Sequence, residues 1–282
     1  MGQAGADPRF LGTVETASPR AIILGLPLDI TESFRTGTRQ GPSRVRKVSD
    51  VLETFSPRTG RDLLDLPVAD WGDLDLQVFG SNVEGAINAV AGAFERAMPH
   101  GLTVGIGGEH TASVGAIRAA YRLHPDLMVI QMDAHLDLRD TYDGLMWSHA
   151  TVMKRVADEI GFDRITQCGI RSGTREEFQM ARQCRWSGSA LELPASILGE
   201  LESHPIYLTI DVDVLDPACA PGTGCPEPGG SSFTELLGAL HGLSRLQMVA
   251  ADVMEVLPEA DVNDITSVAA AKLIREIILL FG

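Results

Sequence analysis

Short apolar runs alternate along this chain with longer segments whose apolar residues recur every three or four positions. The runs at 21–26, 68–71, 102–106, 127–132, 165–169, 206–210 and 248–253 have the length and hydrophobicity of buried strands. Between them, 82–98 places Val83, Ile87, Val90 and Phe94 on one helical face. Segments 112–123, 150–160, 176–182, 195–202, 233–243 and 265–280 read as further helices. Pro42 sits where a helix start tolerates proline and opens a helix through about Thr54. Strands alternating with helices predict repeated βαβ units, hence an α/β fold with a mostly parallel sheet covered on both faces. No linker, internal repeat or low-complexity tract divides the sequence. One domain over 1–282 is expected, with 1–19 a loosely structured N-terminus.

Two of the apolar runs end in ligand-type residues at two-residue steps. Asp133-Ala134-His135-Leu136-Asp137 follows 127–132, and Asp211-Val212-Asp213 follows 206–210. In an extended strand alternate side chains leave one face, so Asp133, His135 and Asp137 should point together, as should Asp211 and Asp213. Unpaired carboxylates beside a buried sheet are costly, which argues for cations between them and for room for two ions. Their position at the carboxyl ends of strands is where open parallel sheets bind ligands.

His110 follows the strand-end sequence Gly107-Gly108-Glu109. Two glycines there permit a tight turn and close approach to a ligand. A lone histidine at such a place more often caps or fills; coupled to the two clusters it counts as a sixth ligand. Glu109 reads as a hydrogen-bonding loop residue. Asp216 precedes Pro217 and reads as fixing its loop.

Composition narrows the partners. A formal charge of −15 argues against nucleic acid, which needs a basic surface. The same acidity favours a small cationic ligand, although it also serves solubility. Four cysteines without CxxC spacing argue against a zinc ribbon or disulfide framework and suit a reducing cytoplasm. Residues 1–19 lack the apolar core of a signal peptide, and no run approaches the ~20 apolar residues needed to span a bilayer. A soluble cytoplasmic protein with no membrane partner is expected.

Taken together, Gly107-Gly108-Glu109-His110, Asp133-Ala134-His135-Leu136-Asp137, Ser148-His149 and Asp211-Val212-Asp213-Val214-Leu215-Asp216-Pro217 resemble the ureohydrolase (arginase/agmatinase) family. Gly37 to Pro42 and Glu255 extend the resemblance over most of the chain. It implies an arginase-like three-layer αβα fold with two Mn²⁺ ions per chain and a bridging hydroxide that attacks a guanidino carbon. One manganese would take His110, Asp133, Asp137 and Asp211; the other would take His135, Asp133, Asp211 and Asp213. An oxygen-rich site with two imidazoles suits Mn²⁺, with Zn²⁺, Ni²⁺ and Co²⁺ as alternatives. The resemblance makes His149 a proton shuttle, although the family's usual glycine after it is Ala150 here. It gives Glu255 the substrate guanidinium and makes Asp252 a support for a ligand histidine.

The implied reaction releases urea and an amine, with agmatine to putrescine, a polyamine precursor, as the leading case. The loop 138–147 lacks the Asn-Thr-Pro-type stretch with which arginases engage an amino-acid head group, and 220–230 looks agmatinase-like. Guanidinobutyrate, guanidinopropionate or arginine are alternative substrates. A formiminoglutamate hydrolase and an inactive binding relative are the rival readings. Arg139, were it to face the pocket, would prefer an anionic tail; Met146 and Trp147 could narrow the pocket or simply pack. Trimers or hexamers of the chain are the implied assembly.

Overall fold

Strands β1 (Ala21–Leu26), β2 (Phe55–Ser56), β3 (Arg61–Asp62), β4 (Val68–Asp73) and β5 (Leu102–Gly107) are followed by β6 (Met128–Met132), β7 (Ile165–Cys168), β8 (Trp186–Ser187), β9 (Pro205–Asp211) and β10 (Gln247–Met254). The computed structural model describes residues 9–13 and 16–282. Eight of these strands form one parallel sheet in the order β4-β1-β5-β10-β9-β6-β7-β8, while β2 and β3 pair as a separate antiparallel hairpin. The helices are α1 (Gly41–Ser49), α2 (Val83–Ala97), α3 (Ala112–Leu123), α4 (Val152–Ile160), α5 (Arg175–Met180), α6 (Ala195–Leu201), α7 (Phe233–Gly242) and α8 (Ile265–Phe281). This is the α/β architecture with a parallel sheet that the alternation of apolar runs and helical segments predicted.

The sheet is buried on both faces, and its strands divide their side chains between two cores. In β1, Ala21 and Ile23 join the core containing α7 and α8, whereas Ile22, Leu24 and Leu26 join that of α2, α3 and α4. In β6, Met128, Ile130 and Met132 face the first core and Val129 the second. Continuous apolar runs, rather than alternation, are what such two-sided burial requires. Among the described residues no helix is long and apolar enough to cross a membrane.

Departures from the expected elements have local causes. Helix α1 stops at Ser49 rather than near Thr54. The Ser49 hydroxyl turns back to donate to the Arg46 carbonyl (2.7 Å) and accepts from Leu11 N–H (2.7 Å). The strands β2, β3 and β8 have two residues each, too few for any periodicity. Within the segment expected to be loose, Phe10 is fully buried and its N–H donates to Asp70 (2.9 Å). Residues 1–8 and 14–15, the rest of that expectation, lie outside the described residues.

Gly108 serves a different purpose from the one read in the sequence. Its N–H donates to the Leu26 carbonyl (2.8 Å), and a Cβ at this position would lie 2.1 Å from the Leu28 carbonyl oxygen. The glycine lets the exits of β1 and β5 touch backbone to backbone, rather than admitting a ligand. That contact sets the loop after β1 against the edge of the functional site.

Candidate metal centre

The carboxyl ends of β5, β10, β9 and β6 lie side by side at the middle of the sheet, and the loops leaving them carry the clustered side chains. Strand alternation is not what gathers them. β6 ends at Met132, so Asp133 to Asp137 belong to a loop in which Asp137 has φ +53°. Val212–Val214 is a 3-10 turn. The curl is made by the aspartates themselves. Asp133 Oδ1 accepts from His135 N–H (2.6 Å), and Asp211 Oδ1 accepts from Asp213 N–H (2.8 Å). Asp213 Oδ1 then ties the two loops together by accepting from Ala134 N–H (3.0 Å). Such short side chain-to-backbone bonds are the usual conformation of aspartate in turns.

The six predicted ligands come together. His110 Nδ1 lies 3.2 Å from Asp133 Oδ2, 3.3 Å from Asp137 Oδ2 and 3.4 Å from Asp211 Oδ2, yet it makes no hydrogen bond and is buried. A nitrogen facing three carboxylate oxygens at ~3 Å has the spacing of neighbouring ligands around an ion with bonds near 2.1 Å. Asp133, His135 and Asp213 form a second group, with His135 Nδ1 2.8 Å from Asp213 Oδ2. Asp133 belongs to both groups. The donor set therefore fits a pair of divalent ions. Thr209 orients the first histidine, its hydroxyl lying 2.8 Å from His110 Nε2.

Charge confirms how poorly this cluster sits without cations. Burial, then the charges of Asp213 and Asp133, push Asp211 well above the ordinary carboxylate range. Burial and Asp133 push Asp137 up to about 7 from 3.8. An acid raised in this way stabilises the metal-free fold fully below its unfolded value, and that contribution disappears as pH rises through the folded value. For Asp137 the window is about pH 4 to 7. The rise in Tm on adding metal to chelated protein should accordingly be larger at pH 8 than at pH 5.5. Equal rises in paired thermal scans would refute this.

Glu255 lies one residue beyond β10 with φ +67°. Its Oε1 accepts from His110 N–H (2.6 Å), and burial with the neighbouring Glu32 charge raises it well above the usual range. His149 begins a short turn whose preceding residue, Ser148, caps it. It is no surface histidine: it lines the cavity, with Nε2 3.3 Å from the Ser33 hydroxyl and its ring edge-on to Tyr142 at 5.5 Å. Burial holds it down to about 4. Glu255, His149 and the cluster surround one cavity of about 220 Å³.

The remaining expected roles divide. Glu109 is the loop anchor expected of it, accepting from Ile30 N–H (2.5 Å) and Thr31 N–H (2.7 Å). Asp216 fixes its loop by accepting from Ala218, Gly229 and Gly230. Asp252, buried, accepts from the Tyr207 hydroxyl (2.5 Å), while Thr209 is the residue directly hydrogen-bonded to the His110 ring. Met146 is exposed and Trp147 packs under Arg118 at 5.6 Å. Glu32 and Thr209 were not anticipated. Thr209 is two residues before Asp211 on the same strand face, a signal that the sequence carried, whereas Glu32 lies six residues past β1 in a loop with no periodicity.

A parallel α/β sheet bearing this Asp/His cluster at its carboxyl edge defines an arginase-like architecture able to hold divalent metal. The model of the arginase family matches residues 19–280. The agmatinase of Bacillus subtilis is 42% identical over 267 residues, covering 93% of this chain and 91% of that protein. The guanidinobutyrase of Pseudomonas aeruginosa is 32% identical over 287 residues, covering 96% and 89%. The crystal structure of the agmatine ureohydrolase of Thermoplasma volcanium matches with a TM-score of 0.86 at 31% identity, over 98% of this chain and 94% of that one. The chain belongs to the arginase family, on its agmatinase-like side, and is a hydrolase acting on guanidino C–N bonds.

Proposed function

We propose that this enzyme hydrolyses agmatine to putrescine and urea with two Mn²⁺ ions held by His110, Asp133, Asp137, Asp211, Asp213 and His135. The charge of the cavity wall carries the substrate assignment. Glu32, Glu177 and Glu255 line it, and its one arginine, Arg139, is already engaged. Arg139 Nε lies 3.4 Å from Glu177 Oε2, and the guanidinium sits 4.8 Å over the Tyr142 ring. A carboxylate tail would find no free cation among the residues lining that wall and would have to draw Arg139 away from Glu177, so an amine tail is the better match. The ion assignment rests on two imidazoles and three carboxylates in the two groups, with Asp211 Oδ2 beside His110 as a fourth carboxylate, and no sulfur among them. The family likeness also carries the expectation of a cytoplasmic trimer or hexamer.

Bound there, the metal pair supplies a nucleophilic water of lowered pKa and Lewis-acid stabilisation of developing charge. The chain's own residues do the rest. Glu255 is placed to pair with the planar guanidinium through two parallel hydrogen bonds, fixing the carbon against the cluster. His149, unprotonated at neutral pH, can accept a proton and pass it to the departing amine nitrogen. Loss of the amine and of urea completes the cleavage of one C–N bond.

The deciding experiment is urea release by manganese-loaded enzyme from agmatine, arginine, guanidinobutyrate and guanidinopropionate, with formamide release from formiminoglutamate in parallel. Agmatine should exceed each carboxylate-tailed compound by at least about tenfold in kcat/KM, the scale of one misplaced charge. Preference for guanidinobutyrate would mean that Arg139 leaves Glu177 to bind substrate. Formamide without urea would replace the guanidino reading.

A further inference from the structure

The mechanism above uses one glutamate of the cavity wall, but the wall holds a second beside it. Glu32 and Glu255 line the same cavity, on neighbouring parts of its wall. Both point at Gly224, where a Cβ would lie 3.2 Å from Glu32 Oε2 and 3.5 Å from Glu255 Oε2. Glu32 is also held in place. Its Oε1 accepts from the Thr38 hydroxyl (3.0 Å), and the preceding residues Ile30 and Thr31 are fixed by Glu109. Two buried carboxylates converging on one point favour a cation, or a proton, there. Burial, then the Glu109 charge, lifts Glu32 to about 8.

A guanidinium presents five N–H donors in one plane, and a single carboxylate engages two of them. We propose that Glu32 is a specificity residue: with Glu255 it forms a paired-carboxylate clamp, taking guanidinium N–H groups that Glu255 leaves unpaired. This rests on the guanidino-hydrolase reading and extends it to a residue that the sequence did not single out. A substrate carrying one nitrogen fewer at the reacting carbon would leave part of the clamp unfilled, so Glu32 favours guanidino over formimino compounds.

The test is Glu32→Gln in manganese-loaded full-length enzyme. The amide matches the carboxyl in shape and can still accept from Thr38. The dissociation constant of agmatine, measured calorimetrically, and its KM should both rise about ten- to hundredfold, the usual effect of losing a charge-assisted hydrogen bond. kcat should stay within about threefold, because binding shared by ground and transition states moves KM alone. Metal content and Tm should be unchanged. Agmatine affinity within twofold of wild type overturns the proposal, as does a fall in Tm and kcat with KM unaltered, the mark of a purely structural residue. Should Glu32→Gln fail to fold, Glu32→Asp keeps the charge on a shorter arm and must also weaken agmatine binding; unchanged affinity again overturns it. Wild-type enzyme that binds agmatine but releases no urea sinks the proposed reaction and leaves the calorimetric comparison to decide Glu32. Wild-type enzyme that binds no agmatine sinks both.

Discussion

Exchanging Asp211 for asparagine should cost the enzyme at least about a thousandfold in kcat/KM, together with metal from the centre, if bound ions supply the nucleophile as proposed. The loop itself should survive. Asparagine keeps the Oδ1 that accepts from Asp213 N–H, so the turn after β9 has the same hydrogen bond. What disappears is the anionic Oδ2 facing His110 Nδ1 at 3.4 Å. Elemental analysis of the purified variant, beside its urea production, checks the expectation. Two ions per chain with more than a tenth of wild-type activity would show that Asp211 is not a ligand.

Glu255→Gln should behave differently. Metal content should remain at the wild-type level, because Glu255 touches the cluster only through the His110 backbone N–H, a bond that the glutamine oxygen can still accept. Activity toward agmatine should fall about a hundred- to a thousandfold, since truncating one partner of a buried charge pair typically costs 2–5 kcal/mol. Titrating urea production against substrate separates the two variants: Asp211→Asn loses its centre, whereas Glu255→Gln holds its ions and loses its grip on the guanidinium. A Glu255→Gln enzyme with unchanged kcat/KM would remove Glu255 from substrate recognition.

Much of this arrangement was readable in the sequence because the sheet is buried on both faces. Strands such as β1 and β6 announce themselves as unbroken apolar runs, and the ends of those runs mark the functional edge. The six candidate ligands followed from that edge and from their chemistry. The reason given for their convergence did not hold, because Asp133 to Asp137 and Val212 to Val214 leave the extended conformation. Alternation describes strands; here each turn depends on a hydrogen bond from one particular carboxylate oxygen, which no periodicity encodes. Glu32 stayed hidden for a related reason. It lies in an irregular loop, and its importance comes from Glu255, more than two hundred residues away in the chain. Arg139 could not be judged either until Glu177 and Tyr142 were seen to hold it.

The turns after β6 and β9 have one more implication, for which acids can occupy their first positions. Asp133 and Asp211 each use one oxygen to shape their own backbone while presenting the other toward His110. A glutamate would carry the same charge on an arm one methylene longer. It could close the turn or reach inward at the old distance, but of the two acids only aspartate has the arm length that does both. Side-chain length, as much as charge, therefore decides what can stand at 133 and 211, because the same side chain closes the turn and faces His110.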